Sequence, residues 1–345
     1  MAGLPHRLAG FLRQALVSPK CRHKRDEGGS AIERRAAAGP WARLNLMLVW
    51  VFLLACAGGT GAGAETPGWT AKSLVKGKGN RVEVRNKDLM VDFGEPVAWT
   101  ICNIRYQDCE IVGEHGYQGT VVNVRLKEAG AKKAGWIGTG HGLEQIKSFA
   151  ALVNQSNQVL AAGAEYRGGT VAIRKESNIG PFDLVSETLF SATGDHFVER
   201  HQYKVLEDLG ERFNHLYAFM HCHNNKLTHW LALLGEGKEE QGEAVKDDNA
   251  NSLKKDIKAI VFYGPEIQKG VVYVYPEVYE GCSKPSKNFI WDRPKDNKLY
   301  FCPEIKRRGY KAGDSFEYAV AVIPFSAGSE DWKTKGRELA GKTYF

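Results

Sequence analysis

Residues 195–234 read DHFVERHQYKVLEDLGERFNHLYAFMHCHNNKLTHWLALL, a stretch that holds six of the ten histidines of the chain. No other window gathers titratable side chains in this way. Successive side chains of an extended strand point to opposite faces. Over 213–223 that alternation places Leu216, Ala218, Met220 and Cys222 on one face, which reads as core, and His215, Tyr217, Phe219, His221 and His223 on the other. The run 197–206 carries Glu199, His201 and Tyr203 on its odd positions, and EDLGER at 207–212 reads as a turn. Antiparallel pairing about that turn sets odd positions opposite odd positions. A third run, 227–234, returns after Asn224-Asn225-Lys226 and brings His229 beside His221. One sheet face is therefore expected to present Glu199, His201, Tyr203, His215, Tyr217, His221, His223 and His229.

Outward from this stretch, the chain from 81 to 324 is a succession of short runs rich in Val, Ile, Tyr, Phe and Thr, punctuated by Gly, Asn, Asp and Pro. Such a procession without intervening amphipathic helices predicts antiparallel sheets packed face to face. The expected class is all-β, a large antiparallel supersandwich with a short C-terminal helix over 331–342 and another short helix over 143–149. Residues 65–345 read as one domain. The segment 235–251, GEGKEEQGEAVKDDNAN, has hardly an apolar side chain and is expected to be a flexible insertion loop. A second long loop, 283–298, carries Phe289, Ile290 and Trp291 among charges, a composition suited to lining a cleft.

The formal net charge of +7 has a local origin. Residues 1–64 hold nine Lys and Arg against three Asp and Glu, which leaves 38 basic and 37 acidic side chains in the remainder. A nearly neutral body argues against a nucleic-acid partner. The leader ends in the apolar run 44–57, preceded by Arg43 and followed by small residues, and Ala62-Gly63-Ala64 before Glu65 fits a signal-peptidase site. The protein is expected to be exported, periplasmic or secreted, with translation starting at Met47. Retention of the apolar run, or lipidation of Cys56, would instead attach it to a membrane. Removal of the leader leaves Cys102, Cys109, Cys222, Cys282 and Cys302. Proximity suggests bridges Cys102–Cys109 and Cys282–Cys302, with Cys222 in the core.

The glycine-rich run Gly135-Trp-Ile-Gly-Thr-Gly-His-Gly142 lacks both the spacing and the strand-to-helix setting of a dinucleotide or phosphate loop. A tight turn that places Trp136 and His141 at a sheet rim is the better reading. The histidine face admits three readings: an acid–base site, a zinc or copper site in which His229, His215 or Glu199 joins His221 and His223, or a solvated polar face. The first requires no cofactor. Tyr203, Tyr217, Trp136, Trp230 and Trp291 add rings on which the C–H faces of sugars pack.

Residues 86–113, 166–205 (YRGGTVAIRKESNIGPFDLVSETLFSATGDHFVERHQYKV) and 215–224 (HLYAFMHCHN) resemble, in strand rhythm, the supersandwich of galactose-mutarotase-like proteins such as aldose epimerases and several polysaccharide lyases. The resemblance implies a carbohydrate-active protein. Epimerases of that fold use a His and Glu acid–base pair, and lyases of related folds use His, Tyr or Arg around a uronate. The expected chemistry is β-elimination of a uronic-acid glycan outside the cytoplasm, with His221 as base, Tyr217 as acid and His201, His215 and His223 around them. Arg105 or Lys226 would neutralise the uronate, and Tyr203, Trp136 and Trp291 would hold the sugar. The alternatives are a non-catalytic carbohydrate-binding or envelope protein, and a metal-dependent enzyme.

Overall fold

A computed structural model describes residues 68–76, 79–113, 118–126, 135–191, 194–244, 250–252, 257–276, 288–294, 296–302, 304–305 and 309–345. The leader, Cys56, Glu65 and Cys282 lie outside these residues. Every strand pairing among them is antiparallel, as the alternating Val, Ile and aromatic runs predict.

Three sheets result. The largest has ten strands in the order Glu239–Glu243, His229–Leu234, Ile257–Gly264, Lys269–Val274, Ser315–Ser326, Phe197–Val205, Phe182–Phe190, Val171–Ile179, Glu144–Val153 and Ser156–Gln158. A six-stranded sheet runs Glu165–Gly168, Trp69–Lys76, Gly79–Arg85, Leu89–Gly94, Thr100–Tyr106 and Cys109–Val112. A seven-stranded sheet runs Ala250–Ser252, Phe289–Asp292, Asp296–Phe301, Phe213–Asn224, Gln118–Val124 and Gly135–Gly138, with Glu304–Ile305 also paired to Phe213–Asn224.

One face of the ten-stranded sheet meets both smaller sheets in a single apolar core. Trp69 and Phe93 of the six-stranded sheet pack on Phe190, while Phe213 of the seven-stranded sheet packs on Phe182. The opposite face buries Leu231, Val261, Tyr263, Val272 and Ile323 beneath Trp332 and Leu339 of the terminal helix Trp332–Ala340. That helix answers the expectation for 331–342.

Four local expectations need correction. The run 143–149 is not helical: its residues enter the strand Glu144–Val153, paired to Val171–Ile179. Leu143, Ile146 and Phe149 have helical spacing, but ladder pairing with a neighbouring strand overrides so short a pattern. Within 235–251, Glu239–Glu243 is an edge strand hydrogen-bonded to His229–Leu234, because backbone pairing needs no apolar side chains. Cys102 and Cys109 do not form a bridge. Cys109 pairs with Tyr106, four residues along the ladder from Cys102, roughly 13 Å at the strand rise and far beyond disulfide reach.

The fourth correction decides the site. The runs 197–206 and 213–223 do not pair with each other. Phe197–Val205 lies between Phe182–Phe190 and Ser315–Ser326, and Phe213–Asn224 lies in the facing sheet. The chain crosses from one sheet to the other at 207–212, where the amide of Leu209 bonds to Tyr310 O.

Candidate functional site

The strand Phe213–Asn224 carries a β-bulge. Tyr217 pairs with Val121 and Met220 with Gly119, so Ala218 and Phe219 together oppose Thr120. An extra residue in one strand reverses which side chains face the core beyond it. Before the bulge Leu216 and Ala218 point into the main core and Tyr217 away from it; after it Phe219 enters the core and Met220 and Cys222 point away. The single polar face expected from alternation is thereby split in two.

On the inner side, His201, His221 and His223 are each no more than 1 % exposed. The carbonyl of Ala218, at the bulge, accepts a hydrogen bond from the Thr120 hydroxyl (3.1 Å) and lies 2.9 Å from His201 Nδ1, and Tyr203 OH lies 2.7 Å from Thr120 Oγ1. His201 Nδ1 also lies 3.0 Å from Thr120 Oγ1 and 3.3 Å from Tyr203 OH. Its Nε2 stands 2.9 Å from Oε1 of buried Glu199. Burial pushes the Tyr203 hydroxyl well above the ordinary tyrosine range.

His221 stacks on Tyr273 with ring centroids 4.1 Å apart and on Phe219 at 5.7 Å, and neither ring nitrogen has a hydrogen-bond partner among the described residues. Burial, reinforced by His223 and His201, holds its imidazole well below the ordinary histidine range. His223 donates from Nδ1 to Asn297 O (3.2 Å) and accepts at Nε2 from Tyr273 OH (2.9 Å). Burial lowers it to about 3. Gln118 Nε2 completes the chain on Tyr273 OH at 3.3 Å. Gln118, Thr120 and Tyr273 escape sequence reasoning because they come from strands remote in the chain, in runs whose composition signals only β structure.

The outer side of the same sheet is different. Trp136, 42 % exposed, lies nearly parallel to Tyr217, with ring centroids 5.3 Å apart and planes at 13°. His141 and His215 flank it, each with its ring 6.3 Å from the indole. The turn that aims these groups is the glycine-rich run: Gly138 has φ 107°, and a Cβ there would strike the carbonyl of Thr120. Gly138 N bonds to Gly142 O and Thr139 N to Thr120 O, both at 2.9 Å, which fixes the turn on the sheet rim. Partial burial, and then the nearby Lys298 ammonium, push His141 below the ordinary histidine value. Tyr217 is buried behind Trp136, next to Tyr300 at 4.9 Å, and burial raises its hydroxyl far above the ordinary value.

The expected base and acid, His221 and Tyr217, thus stand on opposite faces of one sheet and cannot act on one bond. His201 and Tyr203 lie inside with His221, whereas His215 and Trp136 lie outside with Tyr217. The set His221, His223 and His229 does not converge: both nitrogens of His223 are engaged, and His229 sits on the ten-stranded sheet, paired with Glu243 across the ladder. Among the described residues no group of three or more His, Cys, Asp or Glu is arranged to hold a metal ion. Arg105 is exposed on the six-stranded sheet and Lys226 in the turn after Asn224. Trp291 is half-buried in the Phe289–Asp292 strand, with the Arg293 guanidinium 5.2 Å from its ring centroid.

No protein-family model and no curated protein matches the chain. Solved structures do. The likeness is to galactose-mutarotase-like sandwiches. A galactose mutarotase-like protein from Clostridium acetobutylicum is 7% identical over 76% of this chain and 99% of its own, with a TM-score of 0.44. A putative aldose 1-epimerase from Escherichia coli is 10% identical over 75% and 100%, with a TM-score of 0.40. A TPR-domain protein from Parabacteroides distasonis is 9% identical over 71% of this chain, which spans 47% of that protein, with a TM-score of 0.39.

Proposed function

We propose that this protein binds carbohydrate on the outer face of its seven-stranded sheet, with Trp136 as the stacking platform. The observation that carries the reading is the exposed indole of Trp136, held parallel against buried Tyr217 and flanked by His141 and His215. A backed ring loses little side-chain freedom when a sugar packs on it, and the two imidazoles offer hydrogen bonds to hydroxyls at its edges. The leader of residues 1–64 supports an exported protein that meets its glycan outside the cytoplasm, in the periplasm or beyond. Titration calorimetry of the exported body with neutral and uronic-acid polysaccharides tests the reading. Binding that Trp136→Ala weakens roughly tenfold or more supports it, and equal binding by the variant contradicts it.

A lyase is the second reading, favoured by the same cluster. His141, lowered below the ordinary histidine value by burial and then by Lys298, is fit to take a C5 proton, with His215 across the indole as the proton donor. The histidines of the interior have no part in it. No cofactor is needed for this elimination. Release of unsaturated uronate product that disappears in both His141→Ala and His215→Ala would establish the lyase; binding without turnover would leave a non-catalytic glycan-binding protein.

A further inference from the structure

A buried pair of charges stands where the three sheets meet, apart from the groups that face a glycan. Lys175, on Val171–Ile179, and Glu144, at the start of Glu144–Val153, form an ion pair of 2.7 Å with side chains only 4 % and 3 % exposed. Its hydrogen bonds reach all three sheets. Lys175 Nζ also donates to Ala98 O at 3.2 Å, in the loop between Leu89–Gly94 and Thr100–Tyr106 of the six-stranded sheet. Glu144 Oε1 accepts from Ser177 Oγ at 3.0 Å within the ten-stranded sheet. Glu144 Oε2 accepts from Thr139 Oγ1 at 3.2 Å, in the connector that follows Gly135–Gly138 of the seven-stranded sheet.

Taking two ions out of water costs hydration free energy that their mutual attraction repays only in part, and an apolar pair of similar volume commonly does as well or better. Stability alone is therefore a poor account of the pair. Charged hydrogen bonds are short and directional, and a polar network whose members are engaged is rigid. The connector is where rigidity is needed. Gly138, Gly140, Gly142 and Leu143 have φ of 107°, 72°, 80° and 60°, and glycine by itself accepts a wide range of backbone angles. Thr139 is 1 % exposed, its amide bonds to Thr120 O at 2.9 Å, and its hydroxyl lies over Gly119, where a Cβ would collide with it. Among the described residues the bond to Glu144 is the only side-chain hydrogen bond made by 138–143. Thr139 is thus tied to the seven-stranded sheet through its backbone and to the ten-stranded sheet through Glu144. His141 follows it by two residues, with its ring 6.3 Å from that of Trp136.

We infer that Thr139, Glu144 and Lys175 are positioning residues: the buried pair fixes the connector through the Thr139 hydroxyl and so sets His141 against Trp136 on the glycan-binding face. The inference rests on the carbohydrate reading for its purpose and on the hydrogen bonds for its geometry. None of the three side chains needs to touch a ligand. An apolar pair in place of Lys175 and Glu144 would still fill the junction, but it would offer Thr139 no acceptor, and the connector would lose its tie to the ten-stranded sheet.

The test separates position from stability. The protein is labelled with 5-fluorotryptophan, and the fluorine resonance of Trp136, assigned by Trp136→Phe, is recorded together with the imidazole resonances of His141, assigned by His141→Gln. Thr139→Val removes the hydroxyl and leaves the ion pair in place, Thr139→Ser keeps the hydroxyl, and Lys175→Met combined with Glu144→Leu replaces the pair by apolar side chains. Thr139→Val and the double variant are expected to melt cooperatively yet to shift the His141 and Trp136 resonances, whereas Thr139→Ser keeps those of the parent. If the double variant does not fold, Thr139→Val decides alone. Parent-like resonances in Thr139→Val overturn the inference, and so do shifts in Thr139→Ser as large as those in Thr139→Val. Affinity for a polysaccharide that the parent binds should fall roughly threefold or more in Thr139→Val and stay at the parent value in Thr139→Ser. Unchanged affinity in Thr139→Val, where Trp136→Ala weakens binding, also overturns it. If Trp136→Ala leaves binding unchanged, the carbohydrate reading fails instead, and the resonances still decide whether the pair positions His141.

Discussion

His221 is the side chain at which sequence pattern and physical environment diverge most. It lies between Phe219 and Tyr273, wholly buried, with both ring nitrogens lacking partners among the described residues. An imidazole so placed behaves as a flat core ring that bears an uncompensated polar edge. His221→Phe is expected to leave stability within about 1 kcal/mol of the parent or to raise it, since removing an unsatisfied group without changing shape carries little cost. His221→Ala should cost about 2–4 kcal/mol through the cavity left behind. Denaturant unfolding of the two variants checks both values, and a destabilising Phe substitution would show that the imidazole has a partner. His223 makes a pH prediction. Its imidazole titrates near 3 when folded, against an ordinary value of 6.5, because burial disfavours the charged form. Between those values the unfolded chain takes up a proton that the folded one refuses, so stability is full above 6.5 and falls as pH drops toward 3. Urea midpoints at neutral and acid pH should show this loss, and His223→Leu should flatten it, although His221 keeps part of the slope. His223→Leu should also lose about 1–3 kcal/mol at neutral pH by stranding Tyr273 OH and Asn297 O.

At the level of the element, the bulge at Ala218–Phe219 determines where the chemistry lies. It sends Phe219, His221 and His223 inward and leaves His215 and Tyr217 outside. Deleting Ala218 would leave the other side chains on their present faces in plain alternation, but would remove the carbonyl that His201 Nδ1 and the Thr120 hydroxyl approach at 2.9 and 3.1 Å. Such a variant is expected to lose about 1–3 kcal/mol by stranding those buried groups, while Ala218→Gly, which keeps the carbonyl, should cost only on the order of 1 kcal/mol. Thermal melts distinguish the two. Gly138 is the matching device on the neighbouring strand. Gly138→Ala drives a Cβ into Thr120 O, and the expected loss is about 1–3 kcal/mol together with weaker glycan binding as Trp136 shifts. The antiparallel runs, the terminal helix and the aromatic rim at 135–142 were legible in the sequence because each has a local signature of alternation, helical spacing or turn residues. The bulge has none: YAFM at 217–220 reads as uninterrupted strand. Sheet partners were equally hidden, since the pairings of Phe213–Asn224 depend on residues far away in the chain.

At the level of the whole molecule, one ten-stranded sheet is covered on one face by two smaller sheets and on the other by a helix. The interior histidines then become part of the core, and function is left to the outer surfaces. The segment 235–251 changes meaning in this setting. Its strand Glu239–Glu243 covers the edge of His229–Leu234, and Glu239 holds Arg337 of the terminal helix through two hydrogen bonds of 2.7 and 2.8 Å. Deletion of 235–251 is therefore expected to expose a paired edge and promote association, visible as a rise in mass by light scattering. A monomer with an unchanged melting temperature would show the strand to be dispensable. The central claim is that glycan meets the outer face, at Trp136, and not the histidine-rich interior. Calorimetric titration of a polysaccharide that the parent protein binds, repeated on Trp136→Ala and on His221→Phe, tests it most directly. The account predicts affinity reduced roughly tenfold or more by Trp136→Ala and unchanged by His221→Phe; the reverse pattern, with His221→Phe abolishing binding while Trp136→Ala retains it, would contradict it.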